Sequence, residues 1–366
     1  MKPLSLFEFH RHHGAQFREI NGAQVVGTYG DVGKEYHAIK QRAALLDLGF
    51  RSRLCLLGAD RIKFLHGQVT QDVNALSVGQ GTYAALITAK GKMQSDLFVY
   101  RLADELLLDF EPGLAEVVSQ RLEKYIIADD VQVVDVSEPY GHFSVQGPLA
   151  AEIIDCLSLS APLPREVGAF IQVTHSDWGD LYLINRPRFA TLGFDLFLPS
   201  AALRSVAERI LAVGSEQGLS VAGWEAMEIA RIESAIPRFG QDMDETNLPP
   251  EAGLDGSAIS YSKGCYIGQE VMARLRTYGQ VAKALRGLQF SPETKVLPRK
   301  GDKIFWSDKE IGYVTSSTAS PALKSNVALG YLRRERNQVG KEIVVDCGGV
   351  RASAVIATVP FKPFPE

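Results

Sequence analysis

One cysteine lies in surroundings that favour chemistry. The octet Lys263–Glu270, with the sequence KGCYIGQE, places Cys265 between Gly264 and Gly268 and two residues after Lys263. Glycine allows the backbone to approach a ligand closely, and nearby positive charge favours the thiolate, which is the nucleophilic form of cysteine. The octet therefore indicates a reactive thiol. Cys265 could instead contact a transient iron–sulfur species, although one thiol cannot hold a cluster, or be a small buried hydrophobe.

A carboxylate among aromatic residues is the second candidate. Asp96 alternates with Leu97 and Val99, so the strand pattern puts it on the same face as Phe98 and Tyr100. Burying a carboxylate there is costly unless it is paired or binds something. Asp96 is therefore either a residue that hydrogen-bonds the N–H groups of a ligand or an aspartate at the rim of a sheet.

Tyr83 belongs to the preceding β-rich run, Thr82 to Thr88. Its ring could stack on an aromatic heterocycle while its hydroxyl bonds a polar partner. The alternative is an aromatic side chain that only packs against the sheet.

The elements that must hold these residues alternate between short strands and single helices. This order predicts an α+β fold and not a doubly wound parallel sheet. Beyond Gln289, many short β runs separated by Gly or Pro turns predict an all-β barrel. We expect three domains: a first α+β domain over 1–140, a second over 141–285 and the barrel over 286–366. The strands expected in the first domain are Arg53–Leu57, Thr82–Thr88, Gln94–Leu102, Glu105–Phe110 and Val131–Val136.

Composition excludes several classes of protein. The chain has 366 residues, 46% of them hydrophobic, and a net charge of −4, so we expect neither a nucleic-acid partner nor a membrane span. No apolar leader is visible at the N-terminus, and four scattered cysteines fit a reducing compartment, which favours the cytoplasm. We predict no metal site. The cluster His10 to His13 is expected in a solvated turn, and Cys55, Cys156 and Cys347 in the core or the barrel.

The octet resembles the K-G-C-Y-x-G-Q-E segment of the YgfZ family, folate-binding relatives of the glycine cleavage T-protein (aminomethyltransferase). Nearly the whole chain is similar to that superfamily, including Gly312–Ser316 in the barrel. The resemblance implies a three-domain T-protein-like fold around a central folate-binding hole. It also implies tetrahydrofolate, or a one-carbon derivative of it, as the cofactor.

The resemblance assigns roles to single residues. Asp96 matches an aspartate beside the reactive nitrogens of the folate, and Tyr83 a tyrosine of the pteridine pocket. Asp195, in Gly193-Phe194-Asp195, matches a glutamate that accepts hydrogen bonds from the aminopyrimidine edge, and Arg231 an arginine that serves the glutamyl tail. Asp96 and Cys265 are the expected catalytic residues. The motif residues implied by the octet are Lys263, Gly264, Cys265, Tyr266, Gly268, Gln269 and Glu270.

Three positions depart from the aminomethyltransferase pattern. Met227 replaces a second tail-binding arginine, Arg188 a tyrosine, and Glu111 an asparagine near the end of the third strand. The main hypothesis is therefore a folate-binding protein that supports the maintenance or repair of iron–sulfur enzymes, including those that thiolate tRNA, with iron–sulfur proteins as clients. The alternatives are an aminomethyltransferase, which would be an enzyme of one-carbon transfer, and a non-catalytic scaffold.

Overall fold

The computed structural model describes residues 3–362, apart from the side chain of residue 278. The chain forms two compact units. The first unit comprises residues 1–84 and 95–227, and the second comprises residues 85–94 and 228–366. Each unit has its own hydrophobic core.

The first unit contains most of the helices and two large sheets. Its helices are α1 (Phe7–His12), α2 (Val32–Gln41), α3 (Arg61–Gln68), α4 (Ala115–Glu123), α5 (Ala150–Asp155) and α6 (Leu203–Gly214). Its strands are β1 (Gln16–Ile20), β2 (Ala23–Thr28), β3 (Ala43–Asp47), β4 (Ser52–Leu57), β5 (Gln80–Ile87), β6 (Met93–Arg101), β7 (Leu106–Phe110), β8 (Gln132–Asp135), β9 (Tyr140–Gln146), β10 (Phe170–His175), β11 (Gly179–Asn185), β12 (Gly193–Pro199) and β13 (Leu219–Val221). The ends of β5 and β6 next to their connection, residues 85–94, belong to the second unit.

A six-stranded sheet carries the largest core of this unit. Its strand order is β10-β11-β12-β9-β3-β13, and all pairs are antiparallel except β3 with β13. Helices α5 and α6 bury their apolar stripes against it, since Ile153, Val206 and Ile210 are fully buried in the same cluster as Phe143 and Leu196 of the sheet. A central strand such as β12 is buried along its whole length apart from Pro199, so any polar residue within it must find a partner inside the protein.

A five-stranded sheet, in the order β5-β6-β7-β4-β8, holds the second set of polar residues. Along β6, buried residues alternate with half-buried ones, as expected for a strand with one protected face. Strand β7 pairs antiparallel with β6 and with β4, with Phe98 opposite Asp109 in the first pair and Ser52 opposite Phe110 in the second. These registers fix which side chains lie side by side near the ends of the strands.

The second unit is built on a closed barrel. Its six strands follow the order β14-β17-β16-β15-β18-β19, every neighbouring pair is antiparallel, and β14 also pairs with β19. The barrel is filled by Leu288, Phe290, Ile304, Val314 and Ile356, all fully buried. The strands are β14 (Lys283–Phe290), β15 (Lys303–Trp306), β16 (Lys309–Ser320), β17 (Ser325–Arg333), β18 (Glu342–Cys347) and β19 (Val350–Ala357). Helix α8 (Gln269–Tyr278) precedes them, and helix α7 (Trp224–Glu233) has residues in both units.

The expected α+β fold with a C-terminal barrel is confirmed. The division into three domains with boundaries at 140 and 285 stays a prediction. Two expectations about single residues were wrong. Cys156 is exposed, whereas Cys55 and Cys347 are buried as expected. His10 is buried and lies 2.7 Å from a carboxylate oxygen of Asp47, so it does not belong to a solvated turn.

No helix within residues 3–362 is long and apolar enough to cross a membrane.

Candidate functional site

Tyr83 and Asp96 meet on adjacent strands of the five-stranded sheet. The Tyr83 hydroxyl donates a hydrogen bond to Oδ2 of Asp96 over 2.7 Å. The Tyr83 ring stacks on Phe98, with 4.5 Å between the centroids and 23° between the planes. Two residues that the sequence selected separately therefore form one constellation, a carboxylate at the edge of a pair of aromatic rings.

The Asp96 carboxylate is only half satisfied. Its second oxygen, Oδ1, is buried and has no hydrogen-bond partner among the described residues. A buried polar atom without a partner costs roughly 1–3 kcal/mol, so such atoms mark positions where something else binds. Burial, and then the charge of Glu111, raise the pKa of Asp96 to about 6, while the Tyr83 hydrogen bond and Arg51 oppose the rise. Asp96 can thus exchange a proton near neutral pH, which suits a general acid or base.

Arg186 completes the aromatic stack, and sequence reasoning missed it. Its guanidinium carbon lies 3.2 Å from the centre of the Phe98 ring, on a residue that directly follows β11. Its Nε is buried without a hydrogen-bond partner in the described part of the chain, and burial lowers the pKa of its guanidinium. A donor and an acceptor without partners, Arg186 Nε and Asp96 Oδ1, therefore accompany the same ring pair. The sequence signal was two arginines, Arg186 and Arg188, close after a buried strand.

A second carboxylate stands near Asp96. Glu111, which directly follows β7, accepts a hydrogen bond from Nη1 of Arg51 over 2.7 Å. Arg51 also donates from Nε to Asp109, at 2.8 Å and 3.1 Å to its two oxygens. Burial disfavours the charged guanidinium, but the Asp109 and Glu111 carboxylates outweigh this effect and raise the pKa of Arg51. Arg51 therefore stays charged.

Asp195 is fully buried and bonded to protein donors on both oxygens. Arg188 donates from Nη2 to Oδ2 over 2.6 Å and from Nε to Oδ1 over 3.0 Å. The Ser144 hydroxyl donates to Oδ1 over 2.6 Å, and His142 Nε2 lies 3.1 Å from Oδ2. Although burial alone would raise it, Arg188 and His142 hold the pKa of Asp195 well below its usual range. The aminopyrimidine role of Asp195 stays a prediction, and it requires a ligand to replace donors already present.

The chain at Gly193 packs closely against this network. A Cβ atom there would lie 2.2 Å from the side-chain amide of Gln146. That amide donates to the Ser144 hydroxyl over 2.8 Å and accepts from the Arg188 backbone N–H over 2.9 Å. The glycine of Gly193-Phe194-Asp195 is thus required by close approach of the chain to Gln146.

In the second unit, Arg231 is bound to protein carboxylates. Its guanidinium donates to Glu228 from Nε over 3.1 Å and from Nη2 over 2.8 Å, and to Asp242 from Nη1. Asp242 in turn accepts from the hydroxyls of Thr315 and Ser316, each at 2.6 Å. The contacts join α7 to strand β16 of the barrel. Recognition of a glutamyl tail by Arg231 stays a prediction, because the same donors already satisfy two carboxylates.

The cysteine octet lies immediately before and at the start of α8. Cys265 is exposed, whereas Lys263 is buried and its Nζ lies 4.7 Å from the centre of the Tyr266 ring. Gly268, at a φ of 85°, precedes the helix, and a Cβ atom on it would lie 2.6 Å from the carbonyl oxygen of Thr88. Of the three interpretations of Cys265, the buried hydrophobe is therefore wrong, and the reactive thiol and the iron–sulfur contact stay predictions.

Two comparisons of sequence place the chain among known proteins. A family model described as the GCVT N-terminal domain matches residues 6–263, and one described as the glycine cleavage T-protein C-terminal barrel domain matches residues 283–362. The chain is 27% identical over 365 residues to an aminomethyltransferase of Halalkalibacterium halodurans, covering 100% of this chain and 98% of the relative. It is 29% identical over 367 residues to an aminomethyltransferase of Geobacillus thermodenitrificans, covering 99% and 98%.

A solved structure has the same fold. The crystal structure of the glycine cleavage system aminomethyltransferase T from Bartonella henselae matches with a TM-score of 0.89 at 24% identity, covering 99% of this chain and 98% of that one.

Proposed function

Because the chain belongs to the glycine cleavage T-protein family, we propose that it binds tetrahydrofolate, or a one-carbon derivative of it, at Asp96 and Tyr83. The observation that carries this proposal is the buried, unpartnered Oδ1 of Asp96 beside the Tyr83–Phe98 ring pair. The predicted cofactor agrees with membership of the family. When bound, it would supply the nitrogen atoms that carry the one-carbon group, while the protein supplies binding, orientation and proton transfer.

The residues present suit such a ligand. Oδ1 of Asp96 can accept a hydrogen bond from an N–H group, and Nε of Arg186 can donate one to a carbonyl oxygen or a ring nitrogen. The Tyr83 ring gives a flat apolar surface next to both. Asp96, with its pKa of about 6, would take up or release the proton at the reacting nitrogen.

The first candidate reaction is transfer of an aminomethyl-derived one-carbon group to tetrahydrofolate. It is supported by relatives that match over the full length of the chain and are named aminomethyltransferases. An assay of methylene transfer that depends on both tetrahydrofolate and a lipoyl-bearing protein tests it directly. Turnover lost in Asp96→Asn would support it, and no turnover by the wild-type protein would reject it.

The second candidate is a role of the YgfZ type, in support of iron–sulfur enzymes and with such enzymes as clients. Two observations favour it. The thiol of Cys265 is exposed in the octet, and Arg188 is tied to Asp195 by a bidentate ion pair at a position where a tyrosine was expected. Cys265→Ala should then abolish support of an iron–sulfur enzyme in cells and leave folate binding unchanged. Loss of folate binding together with that support would instead make Cys265 a structural residue.

Calorimetric titration with tetrahydrofolate, with oxygen excluded, tests the proposal shared by both candidates. We expect saturable binding by the wild-type protein. Asp96→Ala should weaken it about tenfold or more, because a hydrogen bond to a charged group contributes roughly 1.5–3 kcal/mol. Asp104→Asn is the matched control, since Asp104 is an exposed aspartate in the turn after β6. If the wild-type protein did not bind tetrahydrofolate, the proposed cofactor would be rejected and the scaffold alternative favoured.

A further inference from the structure

Asp96 on β6, Glu111 just after β7 and Arg51 just before β4 belong to the same end of three neighbouring strands and form a row. Strand β6 pairs with β7 as far as Phe98 opposite Asp109, and extending this register by two residues beyond the paired segment would bring Asp96 towards Glu111. Strand β4 pairs with β7 as far as Ser52 opposite Phe110, and one further step would bring Arg51 towards Glu111. Side chains directly opposite in an antiparallel pair share a face, with Cβ atoms about 4.5–5.5 Å apart. From the β6 side to the β4 side, the row therefore contains two carboxylates followed by a guanidinium.

The two carboxylates have unequal surroundings. Glu111 in the middle of the row accepts a hydrogen bond from the guanidinium of Arg51 at 2.7 Å. Asp96 at the end accepts the neutral Tyr83 hydroxyl on Oδ2, and its Oδ1 has no partner within the described residues. Two like charges this close in a partly buried site disfavour each other, and the pair relieves the repulsion by binding a proton. The proton belongs on the carboxylate that lacks a cation, which is Asp96.

We propose that Glu111 is a positioning residue that favours the protonated form of Asp96, so that Asp96 can act as a general acid towards a nitrogen of the bound one-carbon ligand. In that step the Asp96 O–H bond breaks, its electron pair stays on the carboxylate oxygen, and an N–H bond forms on the ligand. The inference rests on the proposed function for its ligand. The protonation that it describes is a property of the protein alone.

The groups around Asp96 account for its raised pKa. Burial and the charge of Glu111, on the β7 side, raise the pKa of Asp96. The Tyr83 hydroxyl from β5 and Arg51 from the β4 side lower it. Asp109, the remaining carboxylate on this face of β7, is engaged by Arg51, and Arg186 lies over the Phe98 ring.

The test is a pH titration of Asp96 without any ligand. Protein labelled with ¹³C at the aspartate Cγ is titrated by NMR, and the Asp96 signal is assigned by its absence in Asp96→Asn. We expect Glu111→Gln to shift the Asp96 midpoint to lower pH by about one unit, because it removes the facing charge and keeps an acceptor for Arg51. Glu116→Gln is the matched control, an exposed glutamate on α4 whose loss should leave the midpoint unchanged.

An Asp96 midpoint that is the same in Glu111→Gln and in the wild-type protein would overturn the inference. If the glutamine variant does not fold, Glu111→Asp decides, since it keeps the charge and must keep an elevated midpoint. A normal aspartate midpoint in that variant would equally contradict the role of Glu111. Failure of tetrahydrofolate to bind would reject the proposed function, yet the Asp96 midpoint would still be measurable, so the two failures are distinguishable.

Discussion

Asp96 and Asp195 are the same residue type with opposite acid–base behaviour. Asp195 is surrounded by Arg188, His142 and Ser144, which hold its pKa well below the usual range. Asp96 has one phenol and one facing carboxylate, and its pKa rises to about 6. The contrast separates a carboxylate that protein donors satisfy on both oxygens from one whose Oδ1 has no partner among the described residues, as the proposed ligand site at Asp96 requires.

Asp96→Asn should stabilise the protein at neutral pH. Since the pKa of folded Asp96 is raised, its charged form costs stability, and this cost grows as pH rises from about 4 to above 6. Asparagine avoids the cost and can still accept the Tyr83 hydrogen bond. We expect a gain of about 1–2 kcal/mol in the free energy of unfolding at pH 7 that disappears near pH 4, measured by urea titration. A loss of stability at pH 7 would show that the carboxylate is satisfied.

Thiol reactivity should follow the exposure of the four cysteines. Cys156 and Cys265 are exposed, whereas Cys55 and Cys347 are buried. A thiol reagent such as Ellman's should therefore modify two thiols of the native protein quickly and all four after denaturation. Cys265→Ser should remove one fast-reacting thiol without changing the melting temperature. Slow modification of Cys265 in the native protein would contradict the exposed position on which its proposed role depends.

The positions of individual site residues were predictable from the sequence where a strand pattern fixed which face they share. Asp96 and Tyr83 lie on adjacent strands, so alternation and a short connection were enough to bring them together. The partners of Asp195 and Arg231 were not predictable, because Arg188, His142, Asp242 and the barrel hydroxyls reach them through pairings set only by the folded chain. Charge pairing of this kind leaves no periodic signal.

At the scale of elements, the tight approach at the start of β12 can be tested with alanine. Gly193→Ala would drive a Cβ atom into the Gln146 amide and should cost about 1–3 kcal/mol. The control is Gly67→Ala in α3, where an added Cβ would meet no atom within 4 Å from the described residues outside the helix's own backbone and the two chain neighbours. A helical alanine there should stabilise by up to about 1 kcal/mol. Thermal unfolding shows whether each substitution raises or lowers the melting temperature. Equal melting temperatures of the two variants would contradict the packing described for Gly193.

Strands with a clear alternation of residue types were predicted well, whereas two helices without a clear apolar face were not. The expected strand Gln94–Leu102 corresponds to β6 (Met93–Arg101), and Glu105–Phe110 to β7 (Leu106–Phe110). Helix α2 was missed because only part of one face is buried, with Tyr36, Ala38 and Ile39 as its apolar contacts. Helix α8 was not predicted because the glycines of the octet favour a loop, whereas Gly268 lies at the helix start.

At the scale of the whole molecule, we expect a marked loss of stability in acid. Burial alone would raise the pKa of Asp109, but Arg51, His142 and Arg188 outweigh it, and Arg188 and His142 likewise lower the pKa of Asp195. Groups with lowered folded pKa values stabilise the fold above the ordinary carboxyl pKa of about 4, and this contribution is lost as pH falls below it.

Urea titrations from pH 7 to pH 3 measure this effect. High salt should change it little, because buried pairs are poorly screened. Stability that stayed constant down to pH 3 would contradict a stabilising role of these two carboxylates. The fold class was predictable from the order of elements, but this pH dependence was not, since it arises from a network that joins two sheets of the first unit.

The row formed by Asp96, Glu111 and Arg51 depends on a connection at the opposite end of the hairpin. Residues 102–105 join β6 to β7, and the backbone N–H of Leu102 donates a hydrogen bond to the carbonyl of Glu105 within this turn. In a sheet, a shift of one residue turns every side chain of a strand to the other face. Adding or removing one residue in this connection would set Phe110 or Pro112 opposite Asp96. The pKa of Asp96 thus depends on the length of the surface turn between β6 and β7, at the far end of the hairpin.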